Sequence, residues 1–109
     1  MVKKNVYVEF EPRAKKVYLE LCNTSNKKQN KILYKAINEK IRFIQQDVHY
    51  GEPISKKLIP HPKNISNLFW VKLPFGWRML YTLKGNEVEI IAFVIDVLDH
   101  KEYERLFGY

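Results

Sequence analysis

The residues best suited to chemistry lie in and around one hairpin. In "LPFGWRMLYTL", residues 73–83, Arg78 follows a Pro-Phe-Gly turn and stands in a run that is otherwise almost wholly apolar. If Leu73 and Trp77 flank a three-residue turn, Lys72 lies directly across from Arg78. Alternation along each strand then points both side chains to the same face. Like charges facing each other are unfavourable unless something negative sits between them. A phosphate of RNA fits, because arginine presents a planar fork to its oxygens and lysine a compact charge. The other reading is two strand-end cations whose stems lie on apolar neighbours while their heads stay in water. The hairpin holds no carboxylate to pair with them, which leaves Asp96 across the sheet as a partner.

Trp70 falls on the Lys72 face, where it either packs in a core or stacks a base as in single-strand binders. By the same alternation Trp77 and Tyr81 fall on the opposite face, under the helices. His100 follows the last strand at the start of a helix, with Tyr103 at i+3 on the same helix face. His100 is there either a structural residue or a proton donor. His49 and His61 have no ligand-like spacing to each other or to carboxylates, and Cys22 is the only cysteine. No metal site, no cofactor and no internal disulfide are therefore expected.

Charge is unevenly spread. The net charge is +7, and no Asp or Glu occurs from Pro53 to Asn86, a stretch holding Lys56, Lys57, Lys63, Lys72, Arg78 and Lys84. Acidic residues dominate the C-terminal stretch after it, with Glu87, Glu89, Asp96, Asp99, Glu102 and Glu104. A basic segment next to an acidic one favours a polyanionic partner for the first, which makes Lys56, Lys57, Lys63 and Trp70 candidate RNA contacts. The N-terminus lacks the apolar core of a signal peptide, and no run approaches the roughly 18 apolar residues of a membrane span. A cytoplasmic protein without a membrane partner is expected.

The elements that must position these groups can be read from periodicity. Residues 5–10 alternate as a strand; Pro12 opens a short helix reaching about Cys22; Leu33, Ile37, Ile41, Ile44 and Val48 line a longer one. That helix is expected to end near Gly51 in a left-handed cap. A proline-containing loop with at most a short extended piece comes next, then strands near 67–73, 76–84 and 87–97. The last is apolar on both faces and so central. Asp99 and Glu102 form a capping box for a final short helix. The order β-α-α-β-β-β-α predicts one α+β domain over residues 1–109. Its helical hairpin packs on a twisted, mainly antiparallel four-stranded sheet.

Several of these passages together resemble the RelE/ParE superfamily of type II toxin–antitoxin toxins, over nearly the whole chain. They are the element order, "YGEPISKKL" after the second long helix, "NLFWVKLPFGWRMLYTL" and "DHKEYERLFGY". The hairpin in particular is similar to RelE-like proteins common in archaea. The resemblance implies a toxin neutralised by a cognate, RelB-like antitoxin. In RelE-type members it implies metal-independent cleavage of mRNA on the ribosome, the ribose 2′-hydroxyl attacking the adjacent phosphate. Arg78 then matches the arginine that contacts the scissile phosphate, and Lys72 a lysine of the preceding strand. His100 matches a basic residue proposed as general acid, Tyr103 a catalytic tyrosine, and Glu52 a glutamate used as general base in YoeB-type members. Trp70 stands where some members carry a second lysine. ParE-type members share the fold and inhibit DNA gyrase by protein contact, and some RelE-fold proteins have no toxic activity. Both are alternatives to the nuclease.

Overall fold

The computed structural model describes residues 4–55, 57, 65–86 and 88–108. Lys56, His61 and Lys63 lie outside the described residues. The chain runs β1 (Asn5–Phe10), α1 (Pro12–Asn23), α2 (Lys28–Gln46), β2 (Glu52–Pro53), β3 (Phe69–Lys72), β4 (Arg78–Gly85), β5 (Glu89–Leu98) and α3 (His100–Phe107). The sheet has five strands in the order β1-β5-β4-β3-β2, one more than expected. The addition is the two-residue β2, which pairs antiparallel with β3 through Glu52↔Trp70 and Pro53↔Phe69. It is the short extended piece of the proline-containing loop, recruited to the sheet's edge. β1 pairs parallel with β5 and all other pairs are antiparallel. β5 thus lies between β1 and β4, as its two apolar faces require.

Two apolar clusters sandwich the sheet. On one face α1 and α2 bury Ala14, Leu21, Leu33, Ile37 and Ile44 against Val71, Met79, Tyr81, Ala92, Val94 and Val97. On the other, Leu68, Leu80 and Leu98 are covered by Trp70, Ile95 and the α3 residues Tyr103, Leu106 and Phe107. The sequence pattern anticipated the first cluster. The second arises from α3 folding back over the face that carries Lys72 and Arg78.

Gly51 has a different role from the one expected. α2 stops at Gln46, and Asp47, with φ −148° and ψ 104°, turns the chain away in an extended conformation. Gly51 is instead buried against Tyr81: its N–H donates to the Tyr81 hydroxyl at 2.9 Å, and that hydroxyl donates to the Val48 carbonyl at 2.8 Å. A Cβ on Gly51 would lie 2.8 Å from Tyr81 Cε1 and 3.0 Å from the Trp70 carbonyl oxygen. Glycine is needed there for close approach. One hydroxyl therefore ties the segment after α2 to the middle of β4. Tyr81→Phe leaves the buried Gly51 N–H and the part-buried Val48 carbonyl without this partner and should cost about 1–3 kcal/mol in urea unfolding, with the sheet retained.

Asp96 also departs from expectation. It sits at a β-bulge, where Leu80 pairs with Asp96 and Tyr81 with Val94, so that Ile95 is an extra residue in β5. Its carboxylate meets Arg13 Nε at 3.5 Å and not the hairpin cations. Burial raises the Asp96 carboxyl above its ordinary pKa, with Arg13 opposing the shift. A carboxyl with a higher pKa folded than unfolded holds its proton more tightly in the folded state. Its stabilising contribution is complete below the ordinary carboxylate range and is lost as pH rises through the folded-state value. Asp96→Asn cannot ionise and keeps an oxygen for the Val97 N–H. The stability of this variant relative to the parent should rise with pH across that window and level off above it, as read from urea midpoints.

Candidate functional site

The hairpin between β3 and β4 builds the site. The Leu73 N–H donates to the Trp77 carbonyl at 2.9 Å, closing a Pro74-Phe75-Gly76 turn and placing Lys72 opposite Arg78 as the sequence register required. Two successive residues of the turn, Phe75 (φ 61°) and Gly76 (φ 78°), are left-handed. Gly76 packs closely on the start of α3: a Cβ there would lie 3.3 Å from His100 Cβ. The turn and the first residue of α3 are therefore fixed against each other.

Arg78 is half-buried, with its guanidinium carbon 5.1 Å from the Trp70 ring centroid and 5.6 Å from that of Tyr103. Its Nη1 donates to the Trp77 carbonyl at 3.1 Å. Ring faces attract a cation without neutralising it. Among the described residues, neither Arg78 nor Lys72 has a carboxylate within ion-pair distance. Arg78 is therefore oriented by neutral partners and keeps its charge available, and Lys72 beside it is exposed.

Register extends this face to the sheet's edge. Glu52 pairs with Trp70, which pairs with Leu80; one step further, Lys72 pairs with Arg78, which pairs with Leu98. Directly opposed residues share a face, so Glu52, Trp70, Lys72 and Arg78 point to the same side. His100 lies two residues past Leu98, at the turn end of that face. Its Nε2 is 2.7 Å from Glu104 Oε1 one helical turn on, with the His100 side chain 60% exposed. The helix is held by the expected capping box: the Glu102 N–H donates to Asp99 Oδ1 at 2.8 Å and the Asp99 N–H to Glu102 Oε1 at 3.2 Å. Tyr103 packs inward beside Phe107, ring centroids 4.7 Å apart.

The structure thus brings together Arg78, Lys72, Trp70, Glu52, Tyr103 and His100. Lys57 is exposed in the loop after β2. Glu104 was missed, although its i+4 spacing from His100 is legible in the sequence. Lys40 and Tyr50 were missed as well. They border a cavity at the β2–β3 edge together with Glu52, Trp70 and Lys72. No group of three or more His, Cys, Asp or Glu among the described residues is arranged to hold a metal ion. No helix of the described residues is long and apolar enough to cross a membrane.

No protein-family model matches the chain, and no curated protein matches its sequence. Its α+β fold does have solved counterparts among YoeB/ParE toxins. A YoeB/ParE toxin from Agrobacterium tumefaciens superposes with a TM-score of 0.65 at 15% identity, over 86% of this chain and 98% of that one. A YoeB dimer from Staphylococcus aureus gives a TM-score of 0.53 at 18% identity, over 83% and 93% of the two chains.

The turn carries strain that can be measured. Phe75 is 53% exposed, so its left-handed backbone is not offset by a buried ring. A side chain in that region costs roughly 1–2 kcal/mol, less for asparagine. Phe75→Asn should raise the stability by about 1 kcal/mol in urea unfolding.

Proposed function

We propose that the chain is the toxin of a toxin–antitoxin pair, acting in the cytoplasm as a metal-independent endoribonuclease on ribosome-bound mRNA. The observation that carries this reading is Arg78 facing Lys72 with, among the described residues, no carboxylate paired to either, on a face bounded by Glu52 and His100. Two cations held together in this way fit the non-bridging oxygens of one phosphodiester. Glu52, one register step towards the sheet's edge, takes the proton of the ribose 2′-hydroxyl. The 2′-oxygen attacks phosphorus, the bond to the 5′-oxygen breaks, and His100 supplies the proton that this oxygen needs. The products are a 2′,3′-cyclic phosphate and a 5′-hydroxyl. In-line displacement requires base and acid on opposite sides of the phosphate, and Glu52 and His100 lie on opposite sides of the Lys72–Arg78 pair.

Lys72 and Arg78 stabilise the charge that develops on the phosphate, a role in which loss of one preorganised donor typically costs roughly 10²–10³-fold in rate. Trp70 and Tyr103 hold the guanidinium beside Lys72, and Lys57 adds general attraction for the RNA backbone, as do Lys56 and Lys63. The antitoxin on this reading is a RelB-like protein with an acidic, amphipathic segment that covers the basic face. It is sought by pull-down with the product of the adjacent small open reading frame.

Arg78→Ala should abolish growth arrest on induced expression and reduce cleavage of ribosome-bound transcripts by about 10²–10³-fold, with antitoxin capture retained. Undiminished cleavage in that variant would sink the assignment. A DNA-damage response in cells expressing the parent, with mRNA intact on ribosomes, would instead select the ParE-type reading.

A further inference from the structure

The cavity at the β2–β3 edge contains a second cation held in place by neutral groups. Lys40, on α2, is half-buried. Its Nζ donates to the Tyr50 hydroxyl at 3.2 Å and lies 5.5 Å from the Phe43 ring centroid and 5.7 Å from that of Tyr50. The two rings are themselves 5.2 Å apart, so they form one platform under the ammonium. Among the described residues no carboxylate pairs with Lys40. Ordering a lysine side chain costs conformational entropy, yet here the ordered charge stays uncompensated. That combination suits an anionic ligand.

The walls restrict which anion. The cavity, about 270 Å³, is lined by Lys40, Tyr50, Gly51, Glu52, Trp70, Val71 and Lys72. It is at the small end of ligand pockets, which span roughly 300–1,000 Å³, so its occupant is a single small unit. Among the described residues Lys40 and Lys72 are its cations, and Glu52 in the same wall would repel a bare inorganic anion. Glu52 would accept a hydrogen bond from a hydroxyl. Trp70 and Tyr50 offer aromatic surface to a planar ring. A ligand with a phosphate, a sugar hydroxyl and a base satisfies all of these groups together.

We propose that this cavity is a nucleotide subsite, which takes the RNA nucleotide on the 5′ side of the scissile phosphate. The inference rests on the endoribonuclease reading and adds the direction of the strand. Because Glu52 borders the cavity, the nucleotide seated there is the one whose 2′-hydroxyl attacks. Its own 5′-phosphate meets Lys40, its base lies on the Tyr50 and Trp70 side, and its 3′-phosphate reaches Lys72 and Arg78. The RNA then runs from the β2 edge towards His100. Lys40 acts on binding and touches no reacting atom.

The test uses a fluorescently labelled 2′-O-methyl oligoribonucleotide, which cannot be cleaved, titrated by anisotropy at several salt concentrations. Lys40→Ala should weaken binding about tenfold and flatten the slope of log affinity against log salt by about 0.7, the loss of one phosphate contact. Lys16→Ala removes the same charge from exposed α1 and should change affinity less than about twofold. On ribosome-bound mRNA, Lys40→Ala should raise the toxin concentration for half-maximal cleavage and leave the maximal rate unchanged, whereas Arg78→Ala lowers the maximal rate. Equal effects of the two lysine substitutions, or no binding of the oligonucleotide by the parent, would overturn the subsite while Arg78-dependent cleavage still stood. Loss of antitoxin capture in Lys40→Ala with oligonucleotide binding intact would also overturn it and give the cavity to the protein partner. Absence of ribosomal mRNA cleavage by the parent would overturn both readings.

Discussion

The pairing of Leu73 with Trp77 across a three-residue turn is the constraint on which the rest of the site depends. That single backbone contact sets the register of β3 against β4. A slip of one residue would send Lys72 and Arg78 to opposite faces and move Tyr81 out of the helical core. The turn itself needs two consecutive left-handed residues, and only one of them is glycine. The same tight turn leaves room for His100 against Gly76. Backbone geometry at one hairpin tip thus positions the paired cations, the arginine's aromatic partners and the start of α3.

Much of this was legible in the sequence because its causes are local. The turn residues, strand alternation, the Leu33–Ile37–Ile41–Ile44 stripe and the Asp99–Glu102 capping box each act within a few positions and appear where the pattern placed them, whereas Val48, read as the end of that stripe, lies past the helix. What was not legible depends on residues distant in the chain. The Tyr81 hydroxyl bonds to groups 30 and 33 residues away, and nothing in "VHYG" marks Gly51 as a contact surface instead of a helix cap. The β5 bulge shifts the phase of alternation between Val94 and Val97, so that both face the helices although three residues apart. This shift carries Asp96 to Arg13, leaving Arg78 to the aromatic rings. The Lys40–Tyr50 contact likewise joins a mid-helix lysine to a loop ten residues on, after the chain has turned at Asp47.

Two of the described cations, Arg78 and Lys40, are held by a common principle. Arg78 sits near two rings, and Lys40 sits near two rings and a hydroxyl. Carboxylates would hold these side chains more firmly and also cancel the charge that an anion must meet. Four acidic residues of the C-terminal stretch are engaged elsewhere: Asp99 and Glu102 with each other in the cap, Glu104 with His100, Asp96 with Arg13.

The parallel pairing of β1 with β5 affects how the protein is made. The first strand of the sheet hydrogen-bonds to the last, with α1, α2, the edge loop and the whole hairpin between them in the chain. Contacts this far apart in sequence require loop closure before they return any stabilisation, which slows folding relative to a helical protein of equal length. Until β5 has been synthesised, β1 has no neighbour and β4 has one open edge. The helical hairpin has only part of its platform, and α3, which brings His100 and Tyr103, comes after β5. The face that carries Arg78 is therefore completed late in synthesis, so a partly made chain exposes its basic strands before it can have an assembled site.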